Sequence, residues 1–108
     1  MTIYELSTVD GFNAAINFPK VIIDFYAPWC GPCKNISPVL TQLSNAPENK
    51  GIKFYKVNVE ELEEISTKCG IKSLPTFMAF SNSKAISQMT GANADHLTKF
   101  VQTILNHN

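Results

Sequence analysis

Apolar positions recur along this chain in two rhythms, continuous short runs and helical spacings, and the two take turns. VIIDFY at residues 21–26 is a β-branched and aromatic run of the kind that forms a strand buried on both faces. IKFYKV at 52–57 and TFMAF at 76–80 predict two more strands. Residues 2–6, with Ile3 and Leu6 apolar, predict a short first strand, and 85–89 a weaker last one. Between these runs the period changes to that of a helix. Phe12, Ala15 and Ile16 fall at i, i+3 and i+4, after Ser7 as a cap and Asp10 in the first turn, with Pro19 ending the element. Ile36, Val39, Leu40 and Leu43 place a helix over 31–46, in which Pro38 introduces a kink. Leu62, Ile65 and Cys69 mark a helix over 60–68, ended by Gly70. Asn93 caps a last helix whose apolar face is Leu97, Phe100, Val101, Ile104 and Leu105.

The resulting order, βαβαβαββα, belongs to an α/β protein. Strands separated by helices are expected to pair in parallel through right-handed crossovers. The last two, joined only by SNSK at 81–84, must be antiparallel. A mixed central sheet with helices on both faces follows. No internal repeat, low-complexity tract or linker interrupts 1–108, so one domain is expected.

Composition narrows the function classes. A chain of 108 residues has no room for a dinucleotide-binding domain beside a substrate domain, so a coenzyme must be handled by a partner. Nine Lys+Arg balance nine Asp+Glu, which leaves no basic excess for neutralising nucleic-acid phosphates. No apolar run approaches the roughly 20 residues that span a bilayer. The opening MTIYELSTVD carries no basic stretch followed by an apolar core, so a cytoplasmic, reducing setting is expected.

Cys30 and Cys33 are the sharpest chemical signal. Their WCGPC setting follows a buried-type strand and opens an amphipathic helix, a context in which CxxC reads as a redox pair. Cys30 at the helix start gains most from unpaired amides and the helix dipole, which stabilise the attacking thiolate. Cys33, further in, suits the resolving role. Half of a metal site is the alternative, but the chain has three cysteines, and neither histidine stands at zinc-finger spacing from the pair. Asp24 is anomalous inside an apolar strand. Burial should raise its pKa, so it is either a satisfied structural acid or a proton carrier for Cys33. Lys56 is a possible electrostatic neighbour or, like Lys53, a solvated strand residue. Pro75 enters the TFMAF strand, and its isomer is not fixed by local pattern. Cys69 fits core packing, with a regulatory thiol as the alternative. His96 and His107 read as surface residues, the acidic run EELEE at 60–64 as a solvated helix start or, alternatively, a feature that tunes docking of a partner protein, and Met78 and Met89 as packing.

The succession DFYAPWCGPC, KVNVEE, GIKSLPTFMAF and TGA closely resembles the thioredoxin family along nearly the whole chain. The resemblance implies the thioredoxin fold, a central five-stranded mixed β-sheet flanked by four helices. It implies Cys30 as nucleophile and Cys33 as buried resolver of a redox-active disulfide, Asp24 as proton-transfer acid and Lys56 as its neighbour. Pro75 matches a cis-proline facing the dithiol. Trp29, Gly31 and Pro32 match the active-site rim, and Ser73, Leu74, Gly91 and Ala92 the substrate groove. Cys69 resembles an extra cysteine of some eukaryotic members. The implied activity is protein-disulfide reduction by a monomer with no bound cofactor. NADPH would be used indirectly, through thioredoxin reductase, and the clients would be proteins such as peroxiredoxin or ribonucleotide reductase. Three departures stand out: Tyr26, a mild one, stands where many members have tryptophan or tyrosine, SNSK lacks the glycine common at that turn, and AISQM is unusually polar for a strand. A non-catalytic redox-dependent binding protein and an oxidase or isomerase are the competing functions.

Overall fold

The β-branched and aromatic runs assemble into one five-stranded sheet of order β1-β3-β2-β4-β5 in a computed structural model that describes residues 3–108. The strands are β1 (Tyr4–Glu5), β2 (Val21–Tyr26), β3 (Lys53–Asn58), β4 (Thr76–Ser81) and β5 (Lys84–Thr90). The helices are α1 (Val9–Ala15), α2 (Gly31–Asn45), α3 (Glu63–Lys68) and α4 (Ala94–Leu105). A short 3₁₀ turn at Pro47–Asn49, absent from the periodicity reading, follows α2. Thr2, where the first strand was expected to begin, lies outside the described residues.

β2 is the central strand, and its alternation sorts the core into two layers. Val21, Ile23 and Phe25 pack with Phe12, Ile65, Met78 and Phe80 on the face that carries α1 and α3. Ile22 packs on the other face with Phe54 and Phe77 and with Ile36 and Leu40 of α2 and Leu97, Phe100 and Ile104 of α4. Each such fully buried side chain contributes on the order of 1.5–3 kcal/mol relative to an exposed one. Asp24 shares the parity of Ile22, so the strand aims it at the α2 layer.

The expectation of parallel pairing between helix-separated strands needs one correction. β1, β3 and β2 are parallel, but β4 runs antiparallel to β2 although α3 separates it from β3. The reason is length. Six residues of α3 rise about 9 Å, whereas retracing six-residue β3 takes about 20 Å. The connection therefore leaves and re-enters the sheet at the same end, and Thr76 pairs beside Phe25. α3 also starts later than predicted. Glu60–Leu62 form a turn before it, and its end is fixed as expected by Gly70 at φ +71. There the Ile71 N–H bonds Ser66 O and the Gly70 N–H bonds Thr67 O, the paired closure of a Schellman cap.

The first cap also differs. Thr8, not Ser7, caps α1, its Oγ1 accepting the Gly11 N–H at 2.9 Å. Gly11 is the third helical residue, the one a cap side chain reaches, and Ser7 lies one position too early. α1 closes at Ile16, before Pro19, whereas α2 continues through Pro38. The β4–β5 turn is made by Asn82 and Ser83, both at positive φ, 50° and 72°, the conformation of a two-residue type I′ hairpin. Their amides donate to Phe18 O and Ile16 O at 2.9 Å, tying the turn to the loop after α1. The polarity of β5 has a local cause. The register shifts between Ala79 and Phe80, leaving Ile86 as an extra residue in a bulge. Only Ile86 and Met89 then reach the α2/α4 layer, and the rest of this edge strand faces water.

Candidate active site

β2 ends at Tyr26, and a turn through Ala27–Trp29 delivers the chain to the start of α2. Cys30 is the N-cap of that helix, and its Sγ accepts the Cys33 N–H at 3.2 Å. Pro32 stands in the first turn, where its missing N–H leaves no helical bond unmade. Cys30 and Cys33 are joined by a disulfide, Cα atoms 5.3 Å apart. Both are buried, at 4% and 5% exposure, so in this oxidised state depth hardly distinguishes them. Position does: Cys30 alone sits where the amides and the positive end of the helix dipole converge, which favours a thiolate there after reduction. The pair packs with Ala27, Tyr26, Val59 and Leu74.

Beneath the disulfide a cleft of about 160 Å³ is lined by Asp24, Tyr26, Cys33, Lys34 and Lys56 among others. Asp24 is buried, and its Oδ1 finds no hydrogen-bond partner. Desolvation pushes its carboxyl up to about 7, with Lys56 lowering it and Glu5 raising it by smaller amounts. Lys56 pairs beside Asp24 in the sheet register, half-buried, with its ammonium 4.5 Å from the Tyr26 ring centroid. Lys53, the alternative solvated lysine, instead lies over Phe18.

The rim is assembled from three further segments. Trp29 is 67% exposed, and its indole N–H donates to a Glu60 carboxylate oxygen at 2.7 Å. Gly31 and Pro32 are exposed at the helix start. The Leu74–Pro75 peptide is cis, Leu74 against the disulfide cluster and Pro75 buried. Ser73 O accepts the Thr76 hydroxyl at 2.7 Å, and the Gly91 N–H donates to Pro75 O at 2.9 Å. Gly91, at φ +95, thereby brings the 91–92 segment beside the proline, while Ala92 packs on the α2/α4 core.

Cys69 is not part of this assembly. It is a half-buried free thiol against the α1/α3 core, lining a separate cavity with Phe12, Met78 and Phe80. Burial raises its pKa, which disfavours the reactive thiolate. His96 is exposed, and His107 half-exposed. Among the described residues no three His, Cys, Asp or Glu are placed to hold a metal ion. Sequence reasoning missed three participants. Tyr26, two residues beyond Asp24, shares its face by strand parity. Glu60 follows β3, whose end lies beside the end of β2. Glu5 reaches the site because β1 pairs with β3 in a register that no local pattern encodes.

Comparison with known proteins places this arrangement. The family model described as thioredoxin matches residues 4–103. Thioredoxin Asp f 29 of Aspergillus fumigatus is 47% identical over 73 residues, covering 68% of this chain, and the chain spans 66% of that protein. The crystal structure of the thioredoxin of Malassezia sympodialis superposes with a TM-score of 0.93 at 35% identity, covering 96% of this chain and 91% of that one. A structure concerned with thiol resolution in a yeast mitochondrial 1-Cys peroxiredoxin through the glutathione and thioredoxin systems matches at 0.87 and 34% identity, covering 94% and 95%.

Proposed function

The chain belongs to the thioredoxin family and carries its thiol–disulfide oxidoreductase chemistry on Cys30 and Cys33; from that premise we propose that it is a protein-disulfide reductase, acting as a single domain over 1–108 and as a monomer. The cleft that joins Asp24 to Cys33 carries this reading.

In the reduced state the Cys30 thiolate attacks one sulfur of a client disulfide. A mixed disulfide forms, and the client's other sulfur leaves as a thiolate. Trp29, Gly31 and Pro32 form the docking rim. Extended client backbone lies along Ser73, Leu74, Gly91 and Ala92, with Pro75 holding that loop against the disulfide, a short strand-like pairing. Asp24 takes the proton of Cys33 across the cleft, which has room for water. Its carboxyl, held near the working pH with Lys56 alongside, can both accept and return that proton. The Cys33 thiolate then attacks Cys30 Sγ, expelling the second client thiolate and closing the Cys30–Cys33 disulfide. Two electrons have passed to the client.

The pair holds the reaction's electrons, so the chemistry calls on no cofactor in this chain. Recharging falls to an NADPH-dependent thioredoxin reductase. Peroxiredoxins are proposed clients, supported by the structural neighbour from a peroxiredoxin-resolving system, and ribonucleotide reductase is another disulfide client of suitable chemistry. Among the described residues no helix is long and apolar enough to cross a membrane, and the cytoplasm is the proposed setting because it keeps such a dithiol reduced. Cys69 is assigned packing. A coupled assay with thioredoxin reductase, NADPH and insulin tests the proposal. Wild type should consume NADPH as the insulin disulfides open, and Cys30→Ser and Cys33→Ser should each lose turnover. Undiminished turnover in either variant would defeat it.

A further inference from the structure

Three strands place three charges in one row. Glu5 of β1 pairs with Lys56 of β3, and Lys56 pairs with Asp24 of β2. Registered neighbours point to the same face, so a cation stands between an exposed acid and a buried one. A simple row of ion pairs would give Asp24 the lysine. Instead Asp24 Oδ1 is unpartnered, and the Lys56 ammonium lies over the Tyr26 ring at 4.5 Å from its centroid. That ring is held from its far end: the Tyr26 hydroxyl donates to a Glu5 carboxylate oxygen. Tyr26 is therefore a strut spanning from β2, beside the disulfide, to β1 at the rim.

We propose that Glu5 is a positioning residue of the redox site: by anchoring the Tyr26 hydroxyl it fixes the ring that seats the Lys56 ammonium, and so keeps that cation from closing on the Asp24 carboxyl. The proposal rests on the reading of Asp24 as the proton carrier and explains why a lysine neighbour does not lock that acid in its ionised form. The charged and titratable groups around Asp24 are few. Lys56 comes from β3, Cys33 and Lys34 line the shared cleft from α2, Tyr26 follows on β2 and Glu5 stands on β1. The β4 residue paired with Asp24 is Phe77, which carries no charge. Losing the strut frees Lys56 to pair with Asp24, which favours the carboxylate.

The test is the titration of the Asp24 side-chain carboxyl, followed by carbon NMR in the intact oxidised protein. Glu5→Leu should move its midpoint down by about half a unit, the scale of one charge a few ångström away in a wet site. Glu5→Gln, which keeps an acceptor for the hydroxyl, should move it less. Tyr26→Leu should also lower it, and adding Glu5→Leu to Tyr26→Leu should lower it by less than Glu5→Leu does alone, because only the direct effect of the Glu5 charge remains once the ring is gone. An unmoved midpoint in Glu5→Leu, or shifts that simply add, would overturn the proposal. Failure of the underlying reading shows separately: Asp24→Asn would then leave the pH dependence of mixed-disulfide resolution unchanged.

Discussion

A carboxyl group buried in an apolar sheet costs stability only where it must ionise, and Asp24 makes that pH dependence measurable. Desolvation lifts its carboxyl from 3.8 to about 7, against the pull of Lys56. Below about pH 4 folded and unfolded chains both hold the proton, and the residue carries no ionisation penalty. Between about 4 and 7 the native state keeps a proton that the unfolded chain has released, so stability falls as pH rises. Above about 7 the loss is complete, on the order of 4 kcal/mol for a shift of about three units. Asp24→Asn should therefore flatten the decline, being more stable than wild type at pH 8 but not at pH 4 in urea unfolding of the oxidised form. Parallel stability–pH curves for the two proteins would show that Asp24 is not strained by ionisation. The sequence made this residue conspicuous because one acid interrupts VIIDFY. Strand parity puts Tyr26 on the same face, but the sequence could not reveal Glu5 beside them, whose proximity depends on the pairing of three strands.

At the scale of elements, period and composition were enough to find the four α-helices and five strands of the described residues, though not the 3₁₀ turn at Pro47–Asn49, with ends displaced by a few residues where caps decide them. The direction of β4 was not legible, since it follows from the short reach of α3 and not from any pattern within TFMAF. Nor was the bulge at Ile86, which turns a seemingly unfavourable polar run into an ordinary edge strand. The β4–β5 turn is the element whose sequence and conformation agree least. Asn82 tolerates the left-handed region, but Ser83 at φ 72 does so at a cost of about 1 kcal/mol. Ser83→Gly should raise stability by about that amount, since the backbone N–H bond to Ile16 O survives the change. Chemical denaturation checks this, and a neutral or destabilising result would mean that the anchored turn carries no conformational cost at Ser83.

For the molecule as a whole, the two layers meet at one end of the sheet. There β2 hands the chain to α2, β3 delivers Lys56 and Glu60, and the reversed β4 brings Leu74 and Pro75 against the same disulfide. WCGPC announced the chemistry because a cysteine pair at a strand-to-helix junction has few other uses. A substrate groove around it was expected through family resemblance alone, as its proposed residues are scattered between positions 29 and 92 of the sequence. The central claim is a division of labour, with Cys30 attacking and Cys33 resolving. It is tested most directly by mixing reduced Cys33→Ser with a disulfide-bonded client protein and mapping the adduct by mass spectrometry. A stable mixed disulfide through Cys30, released when a reductant is added and not formed by Cys30→Ser, is the expected result. Linkage through Cys69 alone, or no adduct at all, would contradict it.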